Sequence, residues 1–134
     1  MQHWAHSTSD PVNRPIFWTT NAVKNANAVP VFLDCSMGWA AGTVETSYPP
    51  PPCDAIPVVV RRGVDSGPFG SFCMNRHDGG INVLFLDWSV RKVGLKELWT
   101  LRWNKPWNTA GPWTKAGGVT PEQWPDWMRR LKDY

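Results

Sequence analysis

The longest apolar run in the chain is Ile81-Asn82-Val83-Leu84-Phe85-Leu86, entered through Arg76-His77-Asp78-Gly79-Gly80 and left through Asp87-Trp88-Ser89. Its alternate faces, Ile81/Val83/Phe85 and Asn82/Leu84/Leu86, are both mainly apolar, which predicts a strand covered on both sides and central in its sheet. Asp78-Gly79-Gly80 predicts a tight turn, because Gly takes positive φ without steric penalty. After the turn at Asp87-Trp88, Val90-Arg91-Lys92-Val93 predicts an antiparallel return strand whose charged pair discourages edge-to-edge association. Upstream, Val29 to Cys35 reads as a strand with Pro30 confined to its first positions or to an edge. Ile56 to Arg62 reads as another short strand, and Ser71 to His77 as one running into the central segment.

Beyond the sheet the period changes. Leu95, Leu98, Trp99 and Trp103 form one stripe of a 3.6-residue repeat, predicting a helix of two to three turns that Pro106 ends. Thr120-Pro121 has the signature of a helix N-cap with Pro at the first helical position, and Trp124, Trp127, Met128 and Leu131 make one face of a short terminal helix. Asn21 to Ala28 predicts a helical turn or two. Residues 36–55, with Gly38, Gly42 and Pro49 to Pro52, predict a long loop that is partly polyproline II. The fold class is therefore α+β and mainly β. A small antiparallel sheet of three to five strands has Trp-bearing helices and long loops packed on it. Residues 1–134 read as one domain, best defined over 72–134.

Composition narrows the function classes. A formal net charge of +3 with 19% charged residues lacks the clustered basic stripe of a nucleic-acid binder. No run of eighteen or more apolar residues occurs that would span a bilayer as a helix. Seven of the ten Trp follow Asp87, so the aromatic excess is local to the C-terminal half. Helical spacing assigns Trp99, Trp103, Trp124 and Trp127 to the core, leaving Trp107 and Trp113 in a loop as the candidate partner contacts, including contacts with carbohydrate. The three cysteines, at 35, 53 and 73, make no C-x-x-C pair; Cys35 and Cys73 flank apolar segments and are the candidate disulfide, against three reduced thiols.

Catalytic chemistry finds little support. His77 and Asp87 suggest a general base with an orienting carboxylate. An extended strand between them, at about 3.3 Å per residue, holds its ends roughly 20 Å apart. A Cys73 or Cys35 nucleophile with His77 has no further constellation to support it, and Cys73 and His77, four residues apart, lie roughly 13 Å apart in a strand. His3 and His6 stand in a polar start with no partner pattern. Calcium is the one cofactor these residues suggest, with Asp34 and Asp87 among the acidic residues at predicted turns and strand ends. None forms an EF-hand loop, and turn formation and capping are the simpler roles.

From Arg76 to Asp87 the chain resembles the signature of a large family of bacterial pseudopilin-like proteins, common in planctomycete-type genomes. In that family a His is followed, after nine residues, by Asp-Gly; here His77 and Asp87 keep the count, and Trp88 stands where the family has Gly. Val93 to Trp103 and Trp124 to Tyr134 are similar to one branch of it, and Val31-Phe32-Leu33-Asp34-Cys35 is a weaker upstream match. The resemblance implies a structural, non-enzymatic subunit of a type II secretion or type IV pilin-like filament, outside the cytoplasm, whose partners are other pilin-like subunits. His77, Gly79, Gly80, Asn82 and Asp87 are then structural motif residues. Such proteins carry an N-terminal apolar helix before a β-rich head. No such helix is written in this sequence, so the expectation is a head alone, touching a membrane only through that helix. Trp88 in place of Gly implies a longer or different turn from a type I′ hairpin.

Overall fold

The structure, a computed structural model, describes residues 18–36, 48–54 and 67–134. Three strands form an antiparallel sheet in the order β1-β2-β3: β1 is Pro30–Leu33, β2 is Gly80–Phe85 and β3 is Val90–Gly94. The apolar run is thus central, with the return strand as its hairpin partner. Short 3-10 turns surround it, within the broad α+β class. The expected strand at Ile56 to Arg62 lies outside the described residues, as do His3 and His6.

The two faces of β2 are covered unequally, which refines the expectation of a strand buried on both sides. Ile81, Val83 and Phe85 are almost fully buried, whereas Asn82 is exposed and Leu84 half-buried. The Trp-rich C-terminal half packs against the Ile81/Val83/Phe85 side. On β1 the register skips from Pro30 opposite Phe85 to Phe32 opposite Leu84, leaving Val31 as an extra residue. Pro30 lacks an N–H, and a bulge beside it shifts the strand's alternation. Leu33 then joins the core beside Val83, and Phe32 joins Leu84 on the opposite face.

The β2–β3 hairpin keeps a tight turn despite Trp88. The Trp88 N–H donates to Phe85 O at 2.9 Å and the Phe85 N–H donates to Ser89 O at 2.9 Å, with Trp88 itself at φ 68°. That is the pattern of a three-residue loop closed by one left-handed residue, the place where hairpins use Gly. The turn is of another type than I′ and one residue longer than its two-residue loop, as the substitution implied.

Ser71 to His77 is not a strand. Gly67–Ser71 is a 3-10 turn that carries Phe69 and Phe72 into the core. Asp78 and Gly79, at φ 47° and 77°, make the predicted turn into β2.

The expected helix from Leu95 to Trp103 shrinks to a 3-10 turn at Lys96–Thr100, with Leu101 extended at ψ 157°. Competition for carbonyls explains this. In an α-helix Leu98 O would accept from the Arg102 N–H. Instead it accepts the Trp103 indole N–H at 2.8 Å, while the Arg102 N–H donates to Ala28 O at 2.8 Å. Trp99 O likewise takes the Trp107 indole N–H at 3.2 Å. The aromatic side chains that set the helical period also unwind the helix. The terminal helix is also absent, replaced by 3-10 turns at Pro121–Gln123 and Asp126–Met128. Pro125 separates them, because a residue before Pro is held out of the helical region, and Trp124 has ψ 146°.

The core is a layer of stacked rings under the sheet. Phe69 stacks on Trp99 with centroids 4.4 Å apart, Phe72 on Trp103 at 4.8 Å, and Trp124 meets Trp99 edge-on at 5.4 Å. Two indoles tie in the Pro-rich segment: Trp99 donates to Tyr48 O at 2.9 Å and Trp127 to Pro51 O at 3.0 Å.

Candidate functional site

The residues singled out in the sequence gather at the two ends of β2. At its start, His77 Nε2 lies 3.0 Å from Asp34 Oδ2, and that same oxygen accepts the Asn82 backbone N–H at 2.9 Å. Asp34 stands just past the end of β1, and its own N–H donates to Asn82 O at 3.2 Å. The His77 N–H donates to Gly80 O at 3.3 Å, which folds the turn onto the strand. Gly79 O accepts the Leu95 N–H at 3.0 Å. Gly80 packs so closely on β3 that a Cβ there would lie 2.7 Å from Val93 O. Each motif residue at this end closes a junction between β1, β2 and β3.

At the far end Asp87 closes the hairpin. Its Oδ1 accepts from the Ser89 hydroxyl at 2.6 Å and from the Ser89 N–H at 3.0 Å. These bonds, the hydroxyl's first, hold its carboxyl below the usual aspartate range. His77 therefore pairs with Asp34 and not with Asp87, as the length of the strand required. The signal that could have found Asp34 is topological. An antiparallel neighbour of β2 brings its own C-terminal end to the start of β2, where His77 lies.

As a catalytic pair, His77 and Asp34 have the right contact, but the Asp34 oxygen that meets the imidazole is also taken by the Asn82 N–H. Ser36 Oγ donates to Ser71 O at 3.1 Å. Cys73 is buried, and burial, with the Asp54 charge adding to it, pushes its thiol far above the ordinary value, which suppresses the thiolate. Cys35 and Cys73 do not form the expected disulfide: Cys35 is a half-buried free thiol, Cys73 a buried one and Cys53 an exposed one. Cys73 sits in the core and Cys35 at its margin, so each has an apolar environment without a bond between them. Asp34 and Asp87 are not joint calcium ligands, since β2 separates them and each carboxylate is engaged locally. No group of three or more His, Cys, Asp or Glu side chains that could hold a metal occurs among the described residues.

Trp107 is buried rather than displayed, because its ring packs on Phe69 and Trp103 and its N–H bonds Trp99 O. Trp113 is half-buried against Trp124, with centroids 5.4 Å apart. Among the described residues, the large apolar side chains that face solvent are two that the sequence pattern did not single out: Trp88, 73% exposed, and Val90, 69% exposed. Val90 lines a shallow groove of about 440 Å³ with Phe32, Leu84, Asp34, Arg76 and Asn82. Phe32 is paired with Leu84 and Leu84 with Val90, so the three half-buried to exposed side chains make one apolar row across that face of the sheet.

No protein-family model, curated protein or solved structure matches this chain.

Proposed function

We propose that this chain is the globular head of a pilin-like filament or secretion-pseudopilin subunit, with a structural and not a catalytic role, acting outside the cytoplasm among other pilin-like subunits. The observation that carries the reading is the use made of the His-x9-Asp residues. His77, Gly79, Gly80, Asn82 and Asp87 all engage in closing the two ends of one central strand. A motif of this kind specifies a scaffold, and a scaffold repeated across subunits is what a filament requires. The resemblance of residues 76–87 to the pseudopilin signature points the same way. The carbohydrate reading loses its basis in Trp107, which the core holds.

Electron microscopy of the protein from its native source, or of the purified chain mixed with a helix-bearing pilin-like subunit, tests the proposal. Filaments that incorporate the chain, detected by immunogold labelling, are the expected result. Their absence under every assembly condition overturns it. Replacement of His77 by Ala should reduce thermal stability and incorporation together; loss of an enzymatic activity with the fold intact would contradict a structural role.

A further inference from the structure

β3 is an outer strand of the sheet, and the phase of its ladder decides which of its backbone groups face away from β2. The Phe85 N–H bonds Ser89 O at one end of the hairpin, and the Leu95 N–H bonds Gly79 O at the other. Bonded pairs alternate with unbonded ones in an antiparallel ladder. Val83–Arg91 and Ile81–Val93 are therefore bonded pairs, whereas Val90, Lys92 and Gly94, opposite Leu84, Asn82 and Gly80, turn their N–H and C=O groups outward. The other side of β2 has the same phase: Asn82 O accepts the Asp34 N–H and the Leu86 N–H bonds Val29 O, so these positions of β2 serve β1. At Gly94 the chain closes the outer edge itself. The Gly94 N–H donates to Glu97 Oε2 at 3.2 Å, and a Cβ on Gly94 would run into the Tyr134 ring. Val90, Arg91 and Lys92 are all exposed, and none of the described residues bonds the outward groups of Val90 or Lys92.

We propose that the Val90–Lys92 edge receives an extended peptide segment of a partner protein as an added antiparallel strand, and that it selects an acidic residue followed two positions later by an aliphatic one. Strand addition satisfies the outward N–H and C=O groups of both Val90 and Lys92. Side chains two apart on the incoming strand fall on one face, so the residue opposite Lys92 comes two places before the residue opposite Val90. The Lys92 ammonium is held by Asp78 O at 3.0 Å, an uncharged acceptor that leaves its charge to be matched, and a carboxylate fits opposite it. Val90, 69% exposed, fits a β-branched neighbour. Arg91 points to the other face and is already paired with Glu97 at 2.7 Å, so it makes no demand on the partner. The same charges disfavour a second copy of this chain. An antiparallel pairing of two β3 strands that uses both Val90 and Lys92 sets Arg91 opposite Arg91, and one centred on Lys92 sets Lys92 opposite Lys92. Like charges directly opposite destabilise a strand pair. The edge is short, so the contact belongs with weak and transient ones. The inference uses the strand edge alone and stands apart from the filament reading.

Amide hydrogen exchange of the full chain, read residue by residue by NMR, provides the test, with the end-blocked peptide Thr-Thr-Glu-Thr-Val-Thr-Thr as probe at up to about 2 mM. In the free chain the Val90 and Lys92 N–H groups should exchange fast, and those of Arg91 and Val93, bonded to β2, slowly. Peptide at about four times its Kd should slow Val90 and Lys92 about fivefold and leave Arg91 and Val93 nearly unchanged. Lys92→Glu, an exposed change, should weaken this peptide about fivefold and favour the counterpart with Lys in place of Glu. A peptide N-methylated at its Glu and Val amides, whose N–H groups face β3, should not bind, and that arm needs no variant of the protein. Unchanged exchange at Val90 and Lys92 with about 2 mM peptide overturns the proposal. Equal protection by the Glu and Lys peptides overturns the acidic preference it asserts. Protection of the same two amides in the peptide-free chain as its concentration rises would give the edge to a second copy, and overturns the proposal as well.

Discussion

Lys96 is the sharpest test of how the C-terminal segment is held. Its side chain is fully buried, with Nζ 2.7 Å from Asp133 Oδ1 and 4.8 Å from the centre of the Trp124 ring. An ammonium group taken out of water needs its counter-charge. Removing one member of a fully buried pair costs about 3–5 kcal/mol. Asp133 is 34% exposed, so water can reach the vacated place and lower that figure to about 2 kcal/mol for Asp133→Ala. With an unfolding entropy near 2.1 cal/mol/K per residue, 134 residues lose about 7 °C in melting temperature for that change. Lys96→Met combined with Asp133→Ala removes both charges and keeps apolar volume against Trp124. It should melt within about 1 kcal/mol of the wild type. Thermal and urea unfolding followed by tryptophan emission gives the comparison. An Asp133→Ala protein that melts with the wild type would refute the buried pair, and so would a double variant no better than the single one.

The remaining predictions concern thiols, backbone contact and pH. Titration with a thiol reagent should find Cys53 reacting at once, Cys35 more slowly and Cys73 only after unfolding; a total of one thiol in denaturant would instead reveal a disulfide. Gly80→Ala should destabilise by about 1–3 kcal/mol in urea unfolding, because its Cβ meets the Val93 carbonyl and Lys92 stem. Burial, followed by the Glu97 charge and opposed by Arg91, raises the Tyr134 hydroxyl above its ordinary value. Its contribution is therefore complete below the usual tyrosine pKa of about 10 and lost as pH rises through the higher folded value. Tyr134→Phe should flatten that alkaline limb of a melting-temperature profile. For Asp87 the sign is opposite: its lowered pKa gives stability above the usual carboxyl range that is lost as pH falls through the folded value, so Ser89→Ala should flatten the acid limb.

The sheet was legible because period-2 patterning and turn residues agree over β2 and β3, whose ladder runs in register from Gly80 opposite Gly94 to Leu84 opposite Val90. The helices were not, although their apolar stripes were real. Leu95, Leu98, Trp99 and Trp103 are all buried as the stripe required, but burial did not need helical backbone. Periodicity reports which side chains face inward, and it does not report whether an indole N–H will take the carbonyl that a helix needs. Pro125 carried a readable signal in its effect on Trp124. Trp107 misled for a related reason: a loop on the surface of the sequence pattern can still pass over a ring layer and contribute to it. At the site, the exclusion of a His77–Asp87 pair followed from strand length alone. The His77–Asp34 pair needed the antiparallel order β1-β2 and the register that places Asp34 beside Asn82.

Position 88 shows what fixes the hairpin. Were the turn dictated by a Gly at its left-handed position, a Trp there should open the loop. Instead the Trp88-to-Phe85 and Phe85-to-Ser89 hydrogen bonds are intact, and Asp87 bonds Ser89 from inside the turn. The conformation is imposed from both flanks, by the β2–β3 ladder and by the Asp87 carboxylate, and residue 88 accepts it. That leaves its side chain unconstrained by the core and directed to solvent. Asp87→Ala should thus loosen the turn more in the Trp88 chain than in a Trp88→Gly background, where the backbone prefers the same conformation unaided. A double-mutant cycle on melting temperature measures the difference. Equal losses in the two backgrounds would mean that Asp87 does not hold Trp88 in place.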